Sequence, residues 1–417
     1  MTAPTPADTD VRPAHEAVAA SLPRRRRPPA PPAHPFFRFV FPLLVALAGV
    51  FVFFLWRDGA KAVLDTTDGD DVSAVDDPAE PGFLAFAQPT PTLMVAHVDD
   101  TDTLVGVTVL ARTSLDAGGN LVVLSADMLL DLADDVVILH ELYAAEGVDA
   151  VESAVAEFFG FGFTEREPMV METERLAAFL ELVEPLAFSL TDDLTRVGAD
   201  GVVEVVHEAG FGRFGGDELA EIYAWRNPGE LDDGRFTRQL AVWEAWLTAI
   251  GDTDDLIAAT LPFDEGLPPY LRAFATGTAE LDLAPVVPID FGVADPFYFL
   301  AEGSETWPVE KGREMVPVPV GYAPGVWPTV QLLDGTGDPA ARSRFLPKVV
   351  AAGAEITFIG NASAFEVAET FVAYHSVDDA SRAQSLADAL GVPVVFDEDL
   401  DQPAELTVTV GLDSADL

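Results

Sequence analysis

Apolar residues are spaced along this chain in three rhythms. The first is unbroken: Phe39 to Trp56, FVFPLLVALAGVFVFFLW, runs 18 residues without a charge, close to the roughly 20 that span a hydrocarbon core. Helices of soluble domains rarely lack a polar face for so long, so the run predicts one transmembrane helix. The second rhythm is that of strands. TLMVAHV (92–98), TLVGVTVLA (103–111) and NLVVLSA (120–126) are short β-rich runs, and DAGGN between the last two reads as a hairpin-type turn.

The third rhythm is helical. Val148, Val151, Val155 and Phe158 recur at helical spacing, with Gly160 as a stop. MVMETERLAAFLELV predicts a short strand entering a helix, capped by Thr173, with Leu176, Phe179, Leu180 and Val183 on one face. GVVEVV (201–206) predicts a further strand. Asp217 is placed to cap the helix ELAEIYAWR, which Asn227 and Pro228 would end. RFTRQLAVWEAWLTAI then buries Leu240, Trp243 and Trp246 or Leu247 on another helix.

These elements predict an α/β domain over 91–262. Residues 263–327 are Pro-rich and read as a partly ordered extension. A second, small α/β unit over 328–417 follows from strands at 329–333, 355–360, 370–376, 392–396 and 406–412, with helices near 338–353 and 378–390. Ahead of the membrane run, residues 1–38 are too Pro-rich and apolar-poor to fold and predict a disordered cytoplasmic tail. Residues 57–90, rich in Asp, Thr and Gly, read as a linker.

Charge divides the chain at the same place. Residues 1–57 hold seven arginines and three acids, whereas the remaining 360 residues hold 16 basic and 67 acidic groups. Arg24 to Arg27 set the N-terminus on the cytoplasmic side by the positive-inside rule, with the C-terminal region extracytoplasmic. The acidity of that region argues against nucleic acid and against docking on an anionic membrane surface, leaving the single helix as the membrane contact. With no cysteine in the chain, disulfides and thiolate metal sites are excluded.

Several chemistries leave no trace. The six histidines show no pair at metal-ligand spacing, and no nucleophile elbow, P-loop or dinucleotide fingerprint appears. DGTG at 334–337 reads as a plain strand-to-helix turn. YAWRNPGELDDGRFTRQ (223–239) differs, because it concentrates Arg226, Arg235 and Arg238 in a chain poor in cations. On a helix from about Gly234, Arg235, Arg238 and Gln239 share one face. With Asp232 just before them, the set offers donors for phosphate oxygens and a carboxylate for a divalent ion, or else arginines in ordinary salt bridges.

The order of segments adds a resemblance. TLMVAHV, TDTLVGVTVLARTSLDAGGNLVVLSAD, LYAAEGVDAVESAVAEFFGF, MVMETERLAAFLELV and DELAEIYAWRN…DDGRFTRQ resemble the LytR-CpsA-Psr (LCP) family from about 92 to 250. VQLLDGTGD…AAGAEITFIGN…VAYHSVDDASRAQSLADALG…VTVGLD resembles the LytR C-terminal domain that accompanies LCP domains. The resemblance implies a membrane-anchored α/β fold: an LCP-like α/β/α domain plus a small C-terminal α/β domain, preceded by a single transmembrane helix. It implies a role in cell-envelope assembly, with a polyprenyl-pyrophosphate lipid or cell-wall glycan as partner. In the family a lipid tail lies in an apolar pocket, the pyrophosphate lies under arginines and Mg²⁺, and the glycan phosphate passes to peptidoglycan.

Residue by residue, Asp102 falls on the family's metal-side Asp-Thr motif, and Asp232, Arg235, Arg238 and Gln239 match D-x-x-R-x-x-R-Q. By that resemblance Asp102 and Asp232 are the metal residues, and Arg235, Arg238, Gln239 and Arg226 the catalytic set. The departures concern cations. Asp99, Asp100 and Thr101 stand where an arginine precedes the Asp-Thr, SAD (125–127) replaces a segment carrying an arginine, and the family's lysine aligns with Ile138 or Leu139. Tyr-x-Arg-x-Arg becomes Tyr223-Ala-Trp-Arg-Asn227, which turns Arg226 about 100° from either expected place. One lost oriented donor removes about 2.7 to 4 kcal/mol of transition-state stabilisation. The expectation is therefore a degenerate binding or scaffolding member; the alternative is an active Mg²⁺-dependent phosphotransferase. FFGFGF (158–163) reads as core, or as the lining of a lipid pocket.

Overall fold

The computed structural model describes residues 75–112, 118–133, 135–165, 167–251, 266–289, 297–398 and 402–415. The predicted tail and membrane run lie outside them, as do the first two residues of the DAGGN turn. Among the described residues no helix is long and apolar enough to cross a membrane.

Strands β1 (Leu84–Phe86), β2 (Thr92–Val98), β3 (Leu104–Ala111) and β4 (Gly119–Ser125) lead into a ribbon of β5 (Leu129–Asp131) and β6 (Val136–Ile138). Helices α1 (Leu139–Glu146) and α2 (Val148–Phe159) follow, then β7 (Met169–Glu172) and α3 (Thr173–Leu180). A bent hairpin comes next, with β8 (Leu186–Leu190) and β9 (Leu194–Val197) on one arm and β10 (Val203–His207) and β11 (Gly210–Phe214) on the other. Helices α4 (Gly216–Ala224), α5 (Asp232–Gly251) and α6 (Leu267–Thr276) precede β12 (Ala279–Leu283), the ribbon β13 (Val286–Ile289) and β14 (Phe297–Leu300), and α7 (Trp307–Met315). The last unit runs β15 (Thr329–Asp334), α8 (Pro339–Ala351), β16 (Glu355–Asn361), β17 (Phe371–Tyr374), α9 (Ala380–Leu390), β18 (Val394–Phe396) and β19 (Leu406–Val410).

The first sheet has the order β12-β4-β3-β2-β7, antiparallel in its middle and parallel at both margins. Every residue of β2, β3 and β4 is buried, so these strands read as continuous apolar runs rather than an alternation. Leu93, Val95, Leu110, Leu121 and Val123 face a core built with α3 to α6, where Phe179 stacks on Trp246 at 4.1 Å. Met94, Ala96, Val107, Val109, Val122 and Leu124 face a second core with α1, α2 and α7. This is a three-layer α/β/α arrangement. Phe158, Phe159 and Phe161 are buried in the second core, which is the plainer of the two readings of FFGFGF.

Two segments differ from expectation. Residues 263–327 supply β12, one of the two outer strands of the first sheet, and α7, whose buried Lys311 bridges Asp282 on β12 at 2.5 Å and Glu314 at 3.2 Å. Their prolines include helix starters at the first turns of α6 and α7. Residues 57–90, read as a linker, contain β1, which pairs antiparallel with β16. The second sheet then has the order β1-β16-β15-β19-β17-β18, and its core joins Val330, Leu332, Val372, Leu406 and Val408 to α8 and α9.

Helix boundaries moved slightly. Thr173 begins α3 rather than capping it, and α4 starts behind Gly215, whose backbone N–H donates to Glu218 Oε2 at 3.1 Å. The α4 helix ends at Ala224, ahead of Asn227 and Pro228.

Candidate functional site

The α5 helix begins at Asp232 rather than Gly234, because Asp232 and Asp233 favour its positive first turn. Its N-terminus meets the end of β4. Asp232 is fully buried there; Ser125 Oγ, on the last residue of β4, donates to its Oδ2, and Arg235 Nη2 pairs with its Oδ1 at 2.5 Å. Just beyond β4, buried Asp127 binds Arg226 Nη1 at 3.2 Å through Oδ2 and His140 Nδ1 at 3.2 Å through Oδ1. Arg226 Nε also donates to the Glu230 carbonyl at 3.0 Å.

Arg235 is the electrostatic centre, since its charge acts on Asp232, Asp127 and Asp99. Burial pushes the Asp232 carboxyl up; Arg235 opposes this, the nearby Asp127 charge adds to it, and the net direction is upward. Burial also works against the Asp127 carboxylate, but the His140 hydrogen bond and the charges of Arg235 and Arg226 outweigh it and hold Asp127 below the ordinary carboxylate range. The Asp127 hydrogen bond in turn raises His140, with burial opposing. Asp99 is partly desolvated, yet hydrogen bonds from Thr101 and Thr103 and the Arg235 charge bring it down.

Arg238 and Gln239 face elsewhere. Arg238 grips Glu230 at both carboxylate oxygens, 2.6 and 3.1 Å, and donates to the Trp225 carbonyl at 2.5 Å. Any side chain at Gly234 would strike that Glu230 carboxylate, so the grip needs the glycine. Fully buried Gln239 donates to the Val105 carbonyl at 3.0 Å and the Tyr223 carbonyl at 3.3 Å, buckling α5 to β3 and to the end of α4. The four motif residues thus fall into an Asp232–Arg235 pair at the site, an arginine closed within its own loop, and a structural glutamine.

Asp102 is exposed, at φ 58°, and accepts from Tyr143 Oη at 2.8 Å; desolvation, and then this bond, push the phenol up to about 12. Asp102 and Asp232, expected to share a divalent ion, are committed to different partners. Among the described residues no group of three or more His, Asp or Glu is arranged to hold a metal ion.

Sequence reasoning missed Ser125, Asp127 and His140. The signal for the first two was SAD itself, read only for the arginine it lacks. His140 follows directly on Leu139, one of the two apolar residues aligned with the family's lysine, and returns a titratable cation to that corner. Beside the site opens a cleft of about 400 Å³ lined by Asp99, Asp100, Thr101, Thr173, Glu221, Ala224 and Trp225. Its charged groups are all acidic.

No family model matches the sequence, and no curated protein matches it. Solved structures do resemble it. TagT bound to LIIa-WTA is 14% identical over 60% of this chain and 98% of that one, with a TM-score of 0.42. TagV from B. subtilis is 12% identical over 55% and 98%, with a TM-score of 0.39. A LytR-Csp2A-Psr enzyme from Actinomyces oris is 16% identical over 55% and 96%, with a TM-score of 0.38.

Proposed function

We propose that this chain is an LCP-like protein of cell-envelope assembly that binds or scaffolds without transferring a glycan phosphate. It is held in the membrane by the helix at Phe39–Trp56, with its C-terminal region outside. The ordered match of segments and the D-x-x-R-x-x-R-Q run support the family reading. One observation carries the loss of transfer: both arginines of the run, and Arg226 ahead of it, are already closed by carboxylates of this chain, Arg226 by Asp127, Arg235 by Asp232 and Arg238 by Glu230. A pyrophosphate would have to displace those carboxylates from largely buried partners, and breaking such pairs is strongly unfavourable. The acidic cleft beside them repels the same ligand.

The test incubates the full-length chain with a polyprenyl-pyrophosphate-linked glycan and Mg²⁺ and measures released polyprenyl phosphate. No release is expected from the parent or from Arg235→Ala, and the in-cell envelope role should survive that substitution in a variant whose circular dichroism stays native. Release by the parent that Arg235→Ala abolishes would establish the phosphotransferase instead.

A further inference from the structure

The distal half of the bent hairpin has an unusual surface. Its basal strand β8 sends Leu186, Phe188 and Leu190 into the core, whereas β9 and β10 pair only with each other among the described residues. In their register Val197 lies opposite Val203, and Thr195 opposite Val205, on one face; Arg196 lies opposite Glu204 on the other, paired at 3.1 Å. Val197, Val203 and Val205 are 53%, 62% and 52% exposed. A two-stranded ribbon is marginal alone, and its outer edges are templates for another strand. Three neighbouring valines on one ribbon face left in water offer apolar contact to a strand laid beside them.

Charge selects the occupant. Between residues 192 and 208 stand Asp192, Asp193, Asp200, Glu204 and Glu208 against Arg196 alone, itself bound to Glu204. A second copy would bring the same acids face to face, and an anionic lipid surface would be repelled. The ribbon's base is fixed by Asn227, whose Oδ1 accepts from Thr195 N at 2.6 Å and whose Nδ2 donates to the Asp193 carbonyl at 3.0 Å.

We propose that the β9–β10 ribbon docks an extended, basic strand of a partner protein, paired along the outer edge of β10, since Asn227 occupies that of β9 at Thr195, with apolar side chains extending the face of Val203, Val205 and Val197. Main-chain pairing supplies the attachment, the valine face selects apolar residues at alternate positions, and the acids select lysine or arginine between them. The proposal concerns a surface outside the arginine site and stands whether or not that site turns over.

The test uses the full-length chain and a fluorescent short peptide alternating valine with lysine and threonine. A glutamate version is the control. The lysine peptide should bind, weaken with salt, and slow amide exchange within 203–207. Combined substitution of Val197, Val203 and Val205 by Thr keeps the β-branched shape and should weaken binding at least about tenfold, with native exchange retained in β8 and β11. The proposal fails if the lysine peptide does not bind. It also fails if the threonine variant binds it equally, which would mean adhesion by charge alone. A self-association, or binding to phosphatidylcholine vesicles, that the threonine variant abolishes would replace it with a second copy or a lipid surface.

Discussion

Arg238 and Glu230 meet in a two-point grip, Nη1 to Oε1 at 2.6 Å and Nη2 to Oε2 at 3.1 Å, with the carboxylate in the space a side chain at Gly234 would take. The planar fork of a guanidinium matches a carboxylate as well as it matches a phosphate. Here the fork is occupied from within the chain. Glu230 Oε2 also accepts from Asn227 N at 2.6 Å, so the carboxylate orders the loop as well.

Glu230→Ala should therefore destabilise the fold as well as release an arginine. It leaves the buried Arg238 charge without its carboxylate, and breaking such a pair typically removes roughly 3 kcal/mol. The urea midpoint should fall accordingly, with an unchanged slope.

Asp127→Asn should create anion binding. The substitution removes the carboxylate that Arg226 holds at 3.2 Å and that shares the field of Arg235. Calorimetry with inorganic pyrophosphate should show at least about tenfold tighter binding than in the parent, a change of about 1.4 kcal/mol, falling with salt. Equal binding in both proteins would show that the carboxylate does not block the site.

Two histidines should shape the pH profile with opposite signs. His140 is raised above 6.5 in the folded state, so its contribution is complete below 6.5 and lost as pH rises through the folded value. Asp127 is depressed below 3.8, so its contribution is present above 3.8 and lost as pH falls through the depressed value. His97 is buried beside Tyr223, and burial lowers it from 6.5 to about 3. It stays neutral in the fold while the unfolded chain takes up a proton, so it weakens stability as pH falls from 6.5 toward 3, at up to about 1.4 kcal/mol per pH unit. His97→Phe should flatten the acid side of a urea-midpoint profile, and His140→Gln the alkaline side. The NMR titration of His140 should lie above that of a free histidine.

Gln239→Leu should act on stability alone. Loss of its bonds to the Val105 and Tyr223 carbonyls leaves buried acceptors unpaired, at roughly 1 to 3 kcal/mol. Thermal unfolding should register that loss, while pyrophosphate binding to the Asp127→Asn background stays unchanged. A change in anion binding would return Gln239 to the site.

The central strands were legible because burial on both faces leaves apolar runs bounded by turns, and α2 because its apolar period ends at left-handed Gly160. The motif on α5 was legible as well, but its chemistry was not. What each arginine touches depends on partners that local pattern does not name: Asp127 lies 99 residues from Arg226 in sequence, and Glu230 stands two residues before the acids that open α5. His140 escaped because it stands one residue beyond the apolar pair that takes the place of the family's lysine. Prolines that start α6 and α7 read as marks of a partly ordered extension, although proline at a first helical turn gives up no needed hydrogen bond.

The pairing of β1 with β16 also sets a load path. The same clasp is sewn by Asn361, whose Nδ2 donates to the carbonyls of Pro78 at 2.9 Å and Glu80 at 2.7 Å, and whose N–H donates to Phe83. Tension arriving along the chain from the N-terminal side meets the C-terminal sheet before it reaches β2. The sheet most remote in sequence from residue 1 is thus the mechanical entrance to the folded region.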